Sequence, residues 1–218
     1  MNLSKRLYTI YQFVPKGAVV ADVGADHGKL IMSLVKDGII HFGYAIENKI
    51  GPYKRLFLAI ENEKLLDSIT PLMSDGIKDL SPDVNTLVLA GMGGLLIVDI
   101  LGKYPDKLSH VTDIICDAHT ANYELRKNVA DLGFMIQKET IVFEDNVYYE
   151  IIHFVRGHDD YSEDDYSFGP CLRNTKDPLY IQKWNKRLNK IEELLLLDID
   201  GKRRNELLKE KEAILRNI

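Results

Sequence analysis

Cysteine is scarce in this 218-residue chain: Cys116 and Cys171 stand far apart and outside any Cys-x-x-Cys or Cys/His cluster. That excludes a disulfide-stapled scaffold and offers no structural zinc site, so reduced thiols are the expected state. No apolar run approaches the roughly 18 residues of a membrane helix. The longest leucine string is Leu194 to Leu197, and Met1 opens a polar amphipathic stretch without a leader pattern. No membrane partner is expected, and the expected location is the cytoplasm. Seven prolines and 15 glycines are too few for a low-complexity or collagen-like chain. Chemical signatures are missing too. There is no Gly-x-Gly-x-x-Gly for a dinucleotide pyrophosphate, and after the fourth apolar run there is neither an Asp/Asn-Pro-Pro-Tyr/Phe stretch to hold an exocyclic amine nor a Pro-Cys nucleophile for pyrimidine C6.

What is present suits a soluble globule: 45% apolar and 28% charged residues, enough for one domain of about 150 residues and an appendage. The net charge of −5 is unevenly spread. Residues 178–218 hold ten Lys/Arg against seven Asp/Glu, whereas the other 177 residues hold 18 against 26. The tail is the basic part, a weak nucleic-acid signal that a charged helix face also explains.

Leu3 to Val14 carries apolar residues at helical spacing and stops at Pro15-Lys16-Gly17. Apolar runs at Ala18 to Val23, Tyr44 to Ile46, Ile69 to Met73, Thr86 to Ala90 and Asp113 to Cys116 read as strands, with helical patterns at Lys29 to Lys36, Pro52 to Glu61, Gly94 to Leu101 and Tyr123 to Leu132. This β-α alternation predicts a mostly parallel sheet covered on both faces. Phe134 to Phe143 and Val147 to Val155 predict a closing antiparallel hairpin, for about seven strands. The expected α/β domain occupies residues 1–157 and an acidic connector 158–177. Two antiparallel helices then form a coiled-coil hairpin over 178–218, with Lys202, Arg203 and Arg204 at its turn. No pattern fixes an oligomeric state, and a monomer is expected.

The first strand runs through Ala21-Asp22-Val23-Gly24-Ala25-Asp26-His27-Gly28 into a helix, at the sheet edge where doubly wound folds bind ligands. Asp22 and Asp26 would repel a pyrophosphate, so a cofactor with cationic groups and no phosphate fits better; S-adenosylmethionine (SAM) has a sulfonium, an amino-acid end and a nucleoside. Glu47 ends the second strand 23 residues after Gly24, where an acid accepts from both ribose hydroxyls. Asp75 and Gly76 follow the third strand, Asp75 placed to accept from an adenine amino group, and Gly91, Met92 and Gly93 follow the fourth. Singly, each reads equally as a loop acid or turn glycine. Together they mark one edge of the sheet.

On these residues the chain resembles bacterial SAM-dependent tRNA (adenine-N1)-methyltransferases of the TrmK type. The likeness runs through Ser4-Lys5-Arg6-Leu7, the Asp22 to Gly28 turn, Gly51-Pro52, Asp75-Gly76, Ala90-Gly91-Met92-Gly93-Gly94, Tyr123-Glu124-Leu125-Arg126, Tyr149-Glu150-Ile151 and Phe168-Gly169-Pro170. It implies a Rossmann-like class I methyltransferase domain, SAM as cofactor, and methylation at N1 of adenine 22 in tRNA, with the coiled coil helping to hold the RNA. Two stretches depart from the family. Ile46-Glu47-Asn48-Lys49-Ile50 replaces a Gly-Glu-Val-Asn type segment, and Asp117-Ala118-His119 replaces Gln-Pro-Asn.

Adenine N1 offers a lone pair at neutral pH, so methyl transfer needs alignment more than a strong base. Asp26 or Asp117 is the candidate to offset the positive charge that develops on the base or to take a proton from its amino group; His27 and His119 are the alternative proton acceptors. The altered Asp117-Ala118-His119 keeps two other readings open: an RNA-binding protein that retains the fold without catalysis, and a methyltransferase for another RNA or a small molecule.

Overall fold

A computed structural model describes residues 3–218; the first two residues, at the head of the stretch read as lacking a leader pattern, lie outside the described residues. The chain opens with helix α1 (Lys5–Phe13), capped by the Ser4 hydroxyl, which accepts from the Leu7 amide. Strands β1 (Val20–Val23), β2 (Gly43–Glu47), β3 (Ile69–Met73), β4 (Thr86–Met92) and β5 (Asp113–Ala118) alternate with helices α2 (Lys29–Lys36), α3 (Ile50–Asn62), α4 (Gly94–Lys103) and α5 (Asn122–Asp131). Strands β6 (Phe134–Glu144) and β7 (Val147–Arg156) complete a seven-stranded sheet of order β3-β2-β1-β4-β5-β7-β6. β1 to β5 pair in parallel, and β7 enters antiparallel between β5 and β6. A dinucleotide-binding sheet runs 3-2-1-4-5-6, so the inserted β7 sets this one apart. Asp145 and Asn146, both at positive φ, make the two-residue turn of the hairpin.

Each face of the sheet has its own core. Ile10 and Phe13 of α1, with Leu30, Ile31 and Leu34 of α2, pack on Val20, Val88 and Ile115, whereas Ile97 and Leu101 of α4 and Leu125 and Val129 of α5 pack on Leu87, Leu89 and Ile114. The period-2 alternation of side chains thus puts Val88 and Ala90 of β4, Ile115 and Asp117 of β5, and Tyr149 and Ile151 of β7 on the face that α1 covers.

Two strands run further than their apolar patterns predict. β5 continues through Ala118, so Asp117 is a buried strand residue paired with Ala90 and Ile151 rather than a residue of the loop beyond. β4 continues through Met92 across a register irregularity between Ala90 and Met92. Gly91, at φ +74°, absorbs it, as a bulge beside a site commonly does.

The acidic connector contains two short helices, α6 (Glu163–Phe168) and α7 (Pro170–Thr175). Ser162 and Asp165 form a reciprocal capping box, and three acids stand in the first turn of α6, where the helix dipole favours them. Helices α8 (Pro178–Leu195) and α9 (Gly201–Asn217) form the expected antiparallel hairpin. Arg187 holds Glu210 through two hydrogen bonds of 2.6 and 2.7 Å, and the Tyr180 hydroxyl donates to the Asn217 carbonyl. A third core of Ile141, Phe168, Leu172, Tyr180, Leu188 and Ile191 seats the hairpin on β6.

A buried ion network reinforces that seat. Arg126 donates to Glu139 at 2.7 Å and to Glu150 at 2.6 Å, and Lys183 of α8 pairs with the other oxygen of Glu150. Burial works against the charge of Glu150, but Lys183 and Arg126 outweigh it and hold its carboxyl down at about 2. Burial pushes the Glu139 carboxyl up even with Arg126 against it. Three quoted family segments, around Tyr123-Arg126, Tyr149-Ile151 and Phe168-Pro170, therefore converge on one cluster; a Cβ at Gly169 would stand 2.7 Å from Arg126 Nη2 and from Glu139 Oε2. Among the described residues no helix is long and apolar enough to cross a membrane.

Candidate active site

In an open α/β sheet, ligands bind where the strand order reverses, outside the carboxyl ends of the strands. Here that is the gap between β1 and β4. A cavity of about 450 Å³ opens there, lined by Asp22, Gly24, Ala25, Asp26 and His27 from the first turn, Ala90 and Gly91 from β4, Ser4 and Arg6 from the start of α1, and Glu144, Asp145 and Tyr149 from the β6–β7 hairpin. Four of these are acids, against the cations Arg6 and Lys29 in the same lining, and the acidic excess suits a ligand carrying positive charge.

Asp22 is 5% exposed. Burial, and then the nearby Glu47 carboxylate, push its carboxyl up to about 7. Glu47 is buried at the end of β2, and its Oε1 accepts from the Asp26 amide at 2.8 Å. That bond shapes the turn: Asp26 takes a left-handed conformation, φ +47°, which aspartate tolerates better than most residues, and its side chain projects into solvent. His27 Nε2 lies 3.8 Å from Asp26 Oδ1, and both side chains are exposed.

The other predicted residues divide. Met92 packs against the turn, its methyl 3.1 Å from where a Cβ on Gly24 would stand. Gly93 caps α4, and Gly94 beyond it admits no side chain, since a Cβ would meet the Thr120 and Ala121 carbonyl groups at 2.6 Å. This close approach fixes the β4–α4 turn against the β5–α5 loop, with the His119 amide donating to the Met92 carbonyl at 3.1 Å. Glu47, Asp75, Gly76, Met92, Gly93, Asp117 and His119 stand around the cavity without lining it. The exposed Asp75 carboxylate accepts from Lys103 at 2.6 Å, and Gly76 packs on Ile100.

Asp117 is fully buried behind Arg6, which lines the cavity. Its Oδ2 pairs with Arg6 Nη1, while its Oδ1 is buried with no hydrogen-bond partner. Burial pushes this carboxyl above the ordinary range, with Arg6, then His119 and the Gly91 backbone amide acting against the shift. The Arg6 guanidinium lies over Tyr149, 5.2 Å from the ring centroid, and His119 meets the same ring edge-on at 5.4 Å. Arg6, Tyr149, Glu144 and Asp145 were absent from the predicted site. Two of them stand in the quoted Ser4-Lys5-Arg6-Leu7 and Tyr149-Glu150-Ile151 segments, which mark their positions without giving their role.

One dipeptide invites comparison with a cysteine methyltransferase nucleophile: Pro170-Cys171 opens α7. It is remote from the fourth strand, Cys171 does not line the cavity, and burial pushes its thiol up, all opposite to what a nucleophile needs.

The chain is similar to known proteins over most of its length. A Bacillus subtilis (strain 168) tRNA (adenine(22)-N(1))-methyltransferase is 29% identical over 195 residues, covering 86% of this chain and 82% of its own. Sp1610 of Streptococcus pneumoniae, proposed to be a tRNA (m1A22) methyltransferase, is 33% identical; its crystal structure in complex with S-adenosyl-L-methionine superposes with a TM-score of 0.93 over 99% of both chains. The crystal structure of the B. subtilis m1A22 tRNA methyltransferase TrmK is 25% identical, with a TM-score of 0.90 over 100% of this chain and 99% of its own. The family model for TrmK, tRNA (adenine(22)-N(1))-methyltransferase, matches residues 20–218, and this chain belongs to that family.

Proposed function

We propose that this chain methylates N1 of adenine 22 in tRNA at the β1–β4 cavity, with SAM seated along the β1 and β2 ends and the target base entering beside Gly91, Tyr149 and Asp117. The observation that carries the cofactor assignment is the buried Asp22 carboxyl beside Glu47, an acid poised near neutrality at the mouth of an acidic cavity. A cationic ligand is what such a group lacks. Glu47, with Oε1 committed to the Asp26 amide, has a second oxygen for ribose hydroxyls. The exposed side chains of Asp26 and His27 are within reach of the same cavity.

When bound, SAM supplies a methyl group made electrophilic by its sulfonium. The chain's own contribution is alignment and charge. Gly91 leaves the wall beside the base open, and Tyr149 offers a stacking face. As the N1 lone pair forms the new bond and the bond to sulfur breaks, positive charge passes to the purine, where the Asp117 carboxylate offsets it. His119, edge-on to Tyr149, stands near enough to receive an amino proton afterwards. Residues 178–218 form the RNA-holding arm, their basic excess placed on a rigid hairpin, and a cytoplasmic site of action follows from a tRNA substrate.

The test is mass spectrometry of nucleosides from unmodified tRNA incubated with the protein and SAM. The expected product is 1-methyladenosine, mapped to position 22 by fragment analysis. Binding of both SAM and tRNA without methylation would leave the noncatalytic RNA-binding reading in its place.

A further inference from the structure

Asp117 is an anomaly that the mechanism above leaves standing. Its side chain is fully buried and paired with Arg6, and its Oδ1 makes no well-formed hydrogen bond, although the Gly91 backbone amide acts on the carboxyl. Burying a carboxylate is costly unless its oxygens find donors. A donor from outside the folded chain would complete its set.

The groups around Asp117 indicate what that is. Arg6 reaches from the first turn of α1, Tyr149 from β7 and His119 from just beyond β5, with the Gly91 bulge beside Arg6 and His119. A Cβ on residue 91 would stand 3.5 Å from Arg6 Nη1, in ordinary contact, so the guanidinium lies directly against the bulge. The guanidinium is flat, lies over an aromatic ring and donates N–H to a carboxylate. Those are also the properties of the six-membered edge of adenine: a flat π-system that stacks on tyrosine, with an amino group that donates.

We propose that the Arg6 guanidinium is a stand-in for the target adenine, occupying the face of Tyr149 and the carboxylate of Asp117 until the base displaces it. This rests on the reading of the cavity as the methyl-transfer site. Arg6 retains 21% side-chain exposure and lines the cavity, the direction in which its guanidinium would swing. Once it leaves, the adenine 6-amino group donates to Asp117, and the charge that arises on the base replaces the charge that left. The exchange also sets selectivity. A carboxylate only accepts, so it favours a 6-amino group over a purine that has no donor at that position.

Competition and rescue separate this from a fixed catalytic role for Arg6. Kinetics on an unmodified tRNA transcript are measured at saturating SAM for wild type, Arg6→Ala and Arg6→Lys. If the guanidinium is seated in at least about four-fifths of free enzyme, Arg6→Ala lowers the KM for tRNA by about fivefold or more. Added guanidinium ion at low millimolar concentration then refills the vacated place and inhibits Arg6→Ala competitively with tRNA, leaving wild type unaffected. Restoration of Arg6→Ala activity by guanidinium, or a fall in kcat with KM unchanged, overturns the proposal, because either makes Arg6 a working partner of the reaction. Should Arg6→Ala not fold, Arg6→Lys carries the test: it keeps a positive charge near Asp117 but cannot cover Tyr149, so its KM also falls, and an unchanged or higher KM overturns the proposal. A transcript with purine riboside at the target position, which keeps the N1 lone pair and lacks the 6-amino group, adds a second arm. Wild type discriminates against it, and Asp117→Ala, which has no acceptor to leave unpaired, narrows the ratio of kcat/KM values; an unchanged ratio overturns the selectivity argument. Wild-type enzyme that methylates no tRNA overturns the site reading and this proposal together, whereas methylation combined with guanidinium rescue overturns this proposal alone.

Discussion

Replacing Asp22 by asparagine should stabilise the cofactor-free protein at alkaline pH while impairing the cofactor site. The side chain is 5% exposed and its carboxyl is pushed from 3.8 to about 7, first by burial and then by Glu47. Between those values the folded protein keeps a proton that the unfolded chain has lost, so stability falls as pH rises through the interval. Three pH units at about 1.4 kcal/mol each set an upper bound of about 4 kcal/mol for the penalty above pH 7. Asparagine has nearly the same shape and no charge. At pH 8 the Asp22→Asn variant should therefore melt on the order of 10 °C above wild type, and at pH 5, only about a third of the way through the interval, the gap should shrink to less than half of that. Bound SAM should invert the order. A cation beside Asp22 favours its ionised form, so wild-type affinity for SAM should rise from pH 6 to pH 8, and the variant should bind weakly with a flat profile. Thermal denaturation in circular dichroism over pH 5 to 8 and titration calorimetry with SAM read both effects. An asparagine variant whose stability relative to wild type does not change between pH 5 and pH 8 would refute the argument, since Asp22 would then carry no costly charge.

Three further outcomes are expected. Glu47→Ala removes an acceptor that serves both the Asp26 amide and the ribose, and should weaken SAM binding about 5- to 150-fold in calorimetry; undiminished affinity in a folded variant sinks the ribose assignment. Arg126→Met leaves the buried Glu139 and Glu150 without their shared cation and should cost about 3 to 5 kcal/mol in urea unfolding at pH 7, with a smaller loss in acid where carboxylates protonate; a loss below 1 kcal/mol would mean that water already reaches the cluster. Neutralising Lys202, Arg203 and Arg204 together should weaken tRNA binding and flatten its salt dependence by about 2 in log–log slope, and an unchanged slope would remove the hairpin turn from the RNA interface.

What the sequence makes legible here is what short-range physics decides. The β-α alternation, the Asp145-Asn146 hairpin turn and the heptad-like seam from Ile181 to Leu195 are each written within a dozen residues, and each is where its pattern puts it. The helix over Glu163–Phe168 was equally local: Ser162 with Asp165 three residues on is a capping box, yet in the crowd of acids it reads as a solvated connector. Charge density alone misleads there, because acids in a first helical turn are favoured by the very dipole that a disordered linker lacks. Strand ends fail for a related reason. Apolar patterning stops at Cys116, but the ladder runs on to Ala118 because β4 and β7 continue to supply partners on both sides.

Long-range pairing is the part that no local pattern carries, and it is also the part that builds the site. Arg6 and Asp117 are 111 residues apart. They meet because α1 packs across the sheet at Ile10 and Phe13 while the β4-β5-β7 register sends Asp117, Ala90 and Tyr149 to that same face. Asp75 shows the converse: it sits at the expected strand end, yet Lys103 from α4 takes its carboxylate away from the cavity. A strand-end acid is thus an address and not an orientation. Which acids face a ligand is decided by the cations that neighbouring elements bring, and in this chain those cations are Arg6 for Asp117 and Lys103 for Asp75, while no cation is hydrogen-bonded to Asp22 among the described residues. The one buried acid at the β1 end without a protein cation is the one expected to receive a cationic cofactor, which is why the pH dependence of Asp22, rather than that of Asp75, is where the cofactor assignment is most exposed to refutation.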